Sequence, residues 1–311
     1  MNVSLRRALP AAAVALAALQ VPASAQQPLQ APHFVFRSSV DLVSVTAVVR
    51  DKRGHVVSSL TRDQFEIRDA GQNRPIIDLQ ADATSPTSVA LLMDGSGSMR
   101  MGPALEYSRV IADAVLGSLD SKRDDAALLS FDTRLVTLHD FSHDFAAIRR
   151  SLDTVTGWGS TSLYDAIAGA AGIVGERTQN RRAIVVLTDG ADTVSAYTPE
   201  QVSLIASSID VPIYVFSLAP AQPMGPNDTV TASRRNALGE LAHATGGDLF
   251  VADTPKAVEA GIKRLVDDLR HQYLISFEAS AFQGLRRIEV RTRRSELRVK
   301  SRGWYQGRDG E

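Results

Sequence analysis

Downstream of Phe34 the chain alternates apolar and polar positions in steps of two. Val43, Val45, Ala47 and Val49 fall on one side, and Ser44, Thr46 and Arg50 on the other. That period predicts a β-strand with one buried face. Asp51-Lys52-Arg53-Gly54 reads as a turn, after which Val56 and Val57 resume a strand. Phe65 and Ile67 on one side, and Ile76, Ile77 and Leu79 on the other, flank Asp69 to Asn73, which reads as a hairpin loop. The Ser- and Pro-bearing stretch Ala83 to Thr87 marks a boundary.

Beyond that boundary short apolar runs alternate with helical patterns. Strands are predicted over Val89–Met93, Ala126–Phe131, Leu135–Phe141, Ala183–Leu187, Val211–Leu218 and Leu249–Val251. Helices are predicted over Pro103–Leu119, Phe145–Leu152, Leu163–Gly175, Arg234–Thr245 and Pro255–Leu269. A further helix starts at Thr198-Pro199-Glu200-Gln201: Thr198 caps, Pro199 fits the first position, and Gln201 completes a capping box. Pro220 to Ser233 reads as a polar loop, and Gly246-Gly247 as a helix stop. Such alternation predicts an α/β fold, doubly wound, with a mostly parallel sheet and helices on both faces.

From Gln272 to Tyr305 the period returns to two, through Tyr273, Ile275, Phe277, Ile288, Val290, Leu297 and Val299. Neither β-patterned flank is long enough to bury a core alone, so the two are expected to fold together as one small β-sandwich. The expected organisation is a leader over 1–25, an N-terminal β segment over 26–86, an α/β domain over 87–270 and a C-terminal β segment over 271–311.

The leader reading rests on Arg6-Arg7, the apolar run Leu9 to Val21 and the small residues Ala23-Ser24-Ala25, which together form a secretory signal peptide. The apolar run falls short of the ~20 residues a membrane helix needs. No later run is long enough either, so a secreted or periplasmic protein of a bacterial envelope is expected, without a transmembrane segment after cleavage. With 34 basic and 35 acidic residues the chain has no global charge that favours nucleic acid or an anionic membrane. It has no cysteine, which excludes disulfides, thiol chemistry and cysteine-built zinc or iron–sulfur sites.

The candidate chemistry lies at strand ends. Asp94-Gly95-Ser96-Gly97-Ser98 follows the first strand of the α/β region, with Asp94, Ser96 and Ser98 spaced by two. Gly159-Ser160-Thr161-Ser162 precedes a helix, and Leu187-Thr188-Asp189-Gly190 ends the most apolar strand. The carboxyl ends of parallel strands share one edge of the sheet, and ligands bind there. Asp94, Ser96, Ser98, Thr161 and Asp189 can therefore meet at one point.

Asp-x-Ser-x-Ser, a distant Thr and a distant Asp, in that order, resemble the von Willebrand factor type A family, which includes the integrin inserted domains. The resemblance covers roughly Thr87 to Arg270. The flanking β segments and the ending Arg302-Gly303-Trp304-Tyr305 resemble a bacterial group of exported type A proteins. The resemblance implies a metal-ion-dependent adhesion site. Ser96 and Ser98 would bind the metal directly, Thr161 directly or through water, and Asp94 and Asp189 through waters. An all-oxygen, roughly octahedral shell favours Mg²⁺ or Mn²⁺. An ion held by neutral hydroxyls keeps its charge and accepts a carboxylate from a protein partner presenting Asp or Glu. The function expected is binding, not catalysis. The alternative is a structural or assembly subunit of an envelope complex that uses its β-domain as the main contact.

Enzymatic signatures are missing from the sequence. No Gly-x-Ser-x-Gly elbow surrounds Ser96, Ser98 or Ser160, and no phosphate-cradling Gly-x-x-x-x-Gly-Lys loop occurs. Ser96 replaces the carboxylate that an Asp94 nucleophile would need two residues on. His139 and His143 lack the Glu of a zincin and read as surface histidines at a strand end. Asp165 and Asp192 are candidates to support the metal shell, or else a helix-start carboxylate and a solvated loop residue. Trp158 is either a rim for the partner or a buried loop anchor. Arg287, Arg291 and Arg293, with Arg298, Lys300 and Arg302, form alternating basic stripes, read as a solvated strand face or as a site for an envelope polyanion.

Overall fold

The computed structural model describes residues 42–307, apart from 83, 101, 179–180, 219–228 and 280–281. The leader expected over 1–25 lies outside the described residues.

The central sheet has six strands: β5 (Thr87–Asp94), β6 (Asp125–Phe131), β7 (Leu135–Ser142), β8 (Arg181–Thr188), β9 (Ile213–Leu218) and β10 (Leu249–Ala252). Their order is β10-β9-β8-β5-β6-β7. All neighbours are parallel except β7, which runs antiparallel on β6 as an edge. Every residue of β5 is buried, as a parallel strand covered on both faces requires. Val89, Leu91 and Met93 point to the layer that holds α1 (Ala104–Ser118), α2 (Phe145–Leu152) and α6 (Pro255–Arg270). Ala90 and Leu92 point to the layer of α3 (Leu163–Gly175), α4 (Pro199–Ser208) and α5 (Thr229–Ala244). This is the doubly wound arrangement expected from the alternation. Its order turns back at β5, between β8 and β6, which is where ligands sit in such sheets.

The helix signals resolve as local geometry. Thr198 accepts from the Gln201 N–H while the Gln201 side chain accepts from the Thr198 N–H, and Pro199 opens α4. Helix α5 begins at Thr229, five residues before the expected Arg234. Its first turn carries no core-facing periodicity, and Val230 there is exposed, so the pattern that marks a buried face is missing.

The flanks form two four-stranded antiparallel sheets. One has the order β13-β1-β11-β4, built from β13 (Arg298–Ser301), β1 (Leu42–Arg50), β11 (Gln272–Glu278) and β4 (Ile76–Asp82). The other has the order β14-β12-β2-β3, from β14 (Trp304–Gly307), β12 (Gly284–Thr292), β2 (Phe65–Asp69) and β3 (Gln72–Arg74). One core joins them: Val45, Val49, Tyr273, Ile275 and Phe277 from the first meet Phe65, Ile67, Ile288, Val290 and Tyr305 from the second. Both neighbours of β1 come from the C-terminal flank, and β2 pairs with β12. The expected composite sandwich is what the chain builds.

Three local expectations are corrected. Val56 makes only an isolated bridge with Arg50 and starts no strand. The hairpin loop narrows to Ala70-Gly71, both at positive φ (48° and 83°), the backbone that suits the strand twist in a two-residue hairpin. Ile76 and Leu79 do not answer Phe65 and Ile67 across that hairpin; after Pro75 the chain crosses to the other sheet, where β4 pairs with β11. The basic stripe is also divided. Arg287, Arg291, Arg293 and Arg298 are exposed. Arg302 is buried, donates to the carbonyls of Ser207 (2.9 Å) and Ser44 (2.6 Å), and ties the sandwich to α4. Lys300 pairs with Asp268 and Asp248. These side chains point out of the sandwich core but face the α/β region instead of water.

Candidate metal centre

Strand β5 ends at Asp94 beside the end of β8, with Met93 opposite Leu187. Asp94 is fully buried. Its Oδ1 accepts the Ser96 N–H at 2.9 Å, and its Oδ2 accepts the Thr188 hydroxyl at 2.6 Å. Thr188 also accepts the Gly190 N–H (3.0 Å), so one hydroxyl links Asp94 to the turn that carries Asp189. Asp189 is buried, and its Oδ1 accepts the Ala191 N–H at 3.0 Å.

The Ser96 and Ser98 hydroxyls stand 3.2 Å apart. The loop that bears them is fixed to the 157–161 segment by backbone bonds: Trp158 N–H to Gly95 O (2.7 Å) and Gly97 N–H to Gly159 O (3.2 Å). Only glycine fits at 157, since a Cβ there would lie 2.6 Å from Ser96 O and 2.5 Å from Arg100 Cγ. Thr161 is buried. Its N–H donates to the Thr193 hydroxyl (2.9 Å), and its carbonyl accepts the N–H groups of Thr193 (2.9 Å) and Val194 (3.2 Å). Three loops, after β5, before α3 and after β8, are thus joined at one end of the sheet. The five sequence-derived residues all lie on them.

Burial pushes the Asp94 carboxyl up to about 6, and the nearby Asp189 charge adds to the rise; the bonds from Ser96 and Thr188 oppose it. Among the described residues neither Asp94 nor Asp189 has a basic side chain as partner. The donor set suits a small divalent cation. Adjacent ligands of an octahedral Mg²⁺ at ~2.1 Å stand roughly 3 Å apart, close to the 3.2 Å between Ser96 Oγ and Ser98 Oγ. Among the described residues no group of three or more His, Cys, Asp or Glu side chains is placed to hold a metal.

Residues 89–191 match the family model of the von Willebrand factor type A domain. Over that stretch the chain is similar to the type A family. Among solved structures it is similar to BatB, a conserved hypothetical protein from Bacteroides thetaiotaomicron, at 17% identity, over 58% of this chain and 98% of that one, with a TM-score of 0.48. It is also similar to an aerotolerance-related membrane protein from Bacteroides fragilis, at 19% identity, over the same shares, with a TM-score of 0.45. Proximal thread matrix protein 1 from the mussel byssus is 15% identical over 72% of this chain and 51% of its own, with a TM-score of 0.49. No curated protein matches the sequence.

The remaining candidates of the α/β region find structural roles. Asp165 accepts from the N–H groups of Ala196 and Tyr197 and from the Ser162 hydroxyl. Desolvation raises its carboxyl, but those bonds outweigh it and hold the group below the usual range. Asp192 is no free loop carboxylate: it accepts from the Leu163 N–H at the start of α3 (2.9 Å) and from the Ser195 hydroxyl (2.5 Å). His143 and His139 bond neighbouring carbonyls. Trp158 is 63% exposed, which excludes the buried-anchor reading. Thr188 was missed by sequence reasoning, because a Thr closing an apolar strand carries no sign that its hydroxyl faces a carboxylate. Among the described residues no helix is long and apolar enough to cross a membrane.

Proposed function

We propose that the type A domain binds one Mg²⁺ or Mn²⁺ through Ser96, Ser98 and Thr161. Asp94 and Asp189 compensate its charge and orient its waters. The ion, short of one ligand, captures an Asp or Glu side chain of a partner protein. The observation that carries this reading is the pair of buried carboxylates, Asp94 and Asp189, beside two adjacent hydroxyls and, among the described residues, without a basic counter-charge. A divalent cation offsets that negative charge. Neutral direct ligands leave it electrophilic, so binding, not turnover, is the function. The secretory signal expected over residues 1–25 supports an activity outside the cytoplasm, in the periplasm or beyond.

A second reading, in which the sandwich makes the main contact within an envelope assembly, draws support from the exposed apolar side chains Leu42, Ile77 and Leu285 on its strands. Calorimetry with Mg²⁺ and Mn²⁺ on wild type, Asp94→Ala and Ser98→Ala tests the metal reading. One site per chain in wild type, weakened in both variants, is expected. Equal binding by all three proteins would reject the assignment and leave the sandwich as the contact surface.

A further inference from the structure

The loops around the candidate metal centre expose large apolar side chains. Trp158 is 63% exposed, Val194 52% and Tyr197 45%. They come from both segments that hold Thr161: Trp158 lies three residues before it, and the N–H of Val194 bonds its carbonyl at 3.2 Å. Large apolar groups gathered at one rim mark a contact surface more than singly scattered ones do.

A charge accompanies them. The Arg100 guanidinium lies 4.0 Å from the centroid of the Trp158 ring. Its stem crosses Gly157, at the position a Cβ would take. Trp158 is itself held by its N–H bond to Gly95 O. Among the described residues Arg100 has no carboxylate partner, and it is exposed. A guanidinium stacked on an indole is pre-organised, and its N–H edges stay free for an anion.

We infer that Trp158, Arg100, Val194 and Tyr197 form the specificity surface of the metal-bridged site, and that its occupant is a protein segment with an apolar side chain and a second acidic group beside the carboxylate that meets the ion. The apolar side chain packs on Trp158, Val194 and Tyr197, and the second carboxylate pairs with Arg100. This rests on the proposed metal-dependent capture. The complementarity runs in one direction: a basic segment would meet both Arg100 and the cation with like charge.

The test is selection of a random-peptide phage library on the immobilised full chain with Mg²⁺, followed by affinity measurements of the enriched peptides. Wild type, Trp158→Ala and Arg100→Gln are compared, with Mg²⁺ and with chelator, after circular dichroism shows that the variants fold. Enriched peptides should carry an acidic residue, a nearby apolar residue and a second acid. Both variants should weaken them by about tenfold, the effect of losing an interfacial Trp or Arg anchor, while Mg²⁺ calorimetry stays as in wild type. Unchanged peptide affinity in both variants, or no enrichment on wild type, overturns the inference. Sensitivity to the variants without sensitivity to chelator would retain the surface and reject the metal bridge. Sensitivity to chelator alone would do the reverse.

Discussion

Thr188 donates its hydroxyl proton to Oδ2 of Asp94 at 2.6 Å, across the ends of the two central strands β8 and β5. Asp94 is fully buried, and no basic side chain balances it among the described residues. The Thr188 hydroxyl and the Ser96 N–H therefore fix the carboxylate in one orientation. Thr188→Val keeps the side-chain shape and deletes the donor. It should lower stability by about 1–3 kcal/mol, the cost of a buried polar group left unpaired. It should also weaken Mg²⁺ binding, because the carboxylate becomes free to turn, while Thr188→Ser should recover both. Urea unfolding and calorimetry read the two effects. Wild-type metal affinity in Thr188→Val would show that Asp94 needs no second donor.

Backbone bonds hold Thr161 in place: its N–H and carbonyl engage Thr193 and Val194. Thr161→Ala should therefore fold with nearly wild-type stability. Under the proposed metal bridge it should keep the ion yet lose partner affinity. Melting curves, Mg²⁺ calorimetry and binding of an acidic peptide separate these effects. Loss of folding in Thr161→Ala would show that the hydroxyl has a structural task.

The sandwich is bound to the α/β region through α6. Arg50 Nε donates to Asp268 Oδ1 at 3.0 Å, both side chains are buried, and Lys300 also reaches Asp268. Asp268→Asn leaves two cations facing each other without their carboxylate. A loss of about 3–5 kcal/mol is expected, as for other broken buried pairs. Arg50→Met should cost less, since Lys300 still faces Asp268. Chemical denaturation measures both. A loss below about 1 kcal/mol for Asp268→Asn would place the pair with weak surface bridges.

Periodicity carries the layers of this fold because each strand or helix must hide one face. Strand β5 is the exception: the pattern does not tell which layer Val89, Leu91 and Met93 face and which Ala90 and Leu92 face, because a strand covered on both sides has no polar face to orient it. The helix start at Thr198-Pro199-Gln201 was legible because all its bonds are local. The same is not true of Arg302. An arginine alternating with apolar residues reads as solvated, yet its outward face meets α4 of the other region. Asp94, Ser96 and Ser98 could be named as candidates because they share one short loop. Thr188 could not, because its role depends on the pairing of β5 with β8.

That pairing of distant segments has a consequence for fragments. Strand β1 finds both its neighbours after residue 271, and β2 pairs with β12 across the same span. A fragment of residues 26–84 keeps only the β2–β3 hairpin and the sequence of β1 and β4, with no partner for either. It should show no cooperative melt, while residues 87–270 should fold as a soluble α/β unit. Differential scanning calorimetry decides this. A sharp transition of the 26–84 fragment would disprove the composite sandwich as a folding unit.

Alkaline pH offers a probe of the sandwich core. Tyr305 is buried in β14, packs edge-on against Phe277 at 5.9 Å, and donates its hydroxyl to Asp69 at 3.0 Å. Burial pushes its hydroxyl up to about 12, and the Asp69 carboxylate adds to the shift through hydrogen bond and charge. In the unfolded chain a tyrosine titrates near ~10. The folded state thus holds this proton more tightly. Its contribution to stability is fully present below the unfolded value and is lost as pH rises from there towards about 12. Tyr164, Tyr214 and Tyr273 are raised as well, so wild type should lose stability over that window with contributions from several hydroxyls. Tyr305→Phe removes one of them. It should unfold at lower urea at neutral pH, having left Asp69 with only Arg286 and Arg74. It should also lose less of its remaining stability as the solution is made alkaline. Urea midpoints of the two proteins across the window give the comparison, and lysine titration affects both alike. Parallel pH dependences would mean that the Tyr305 proton is held no more tightly in the folded protein than in the unfolded chain.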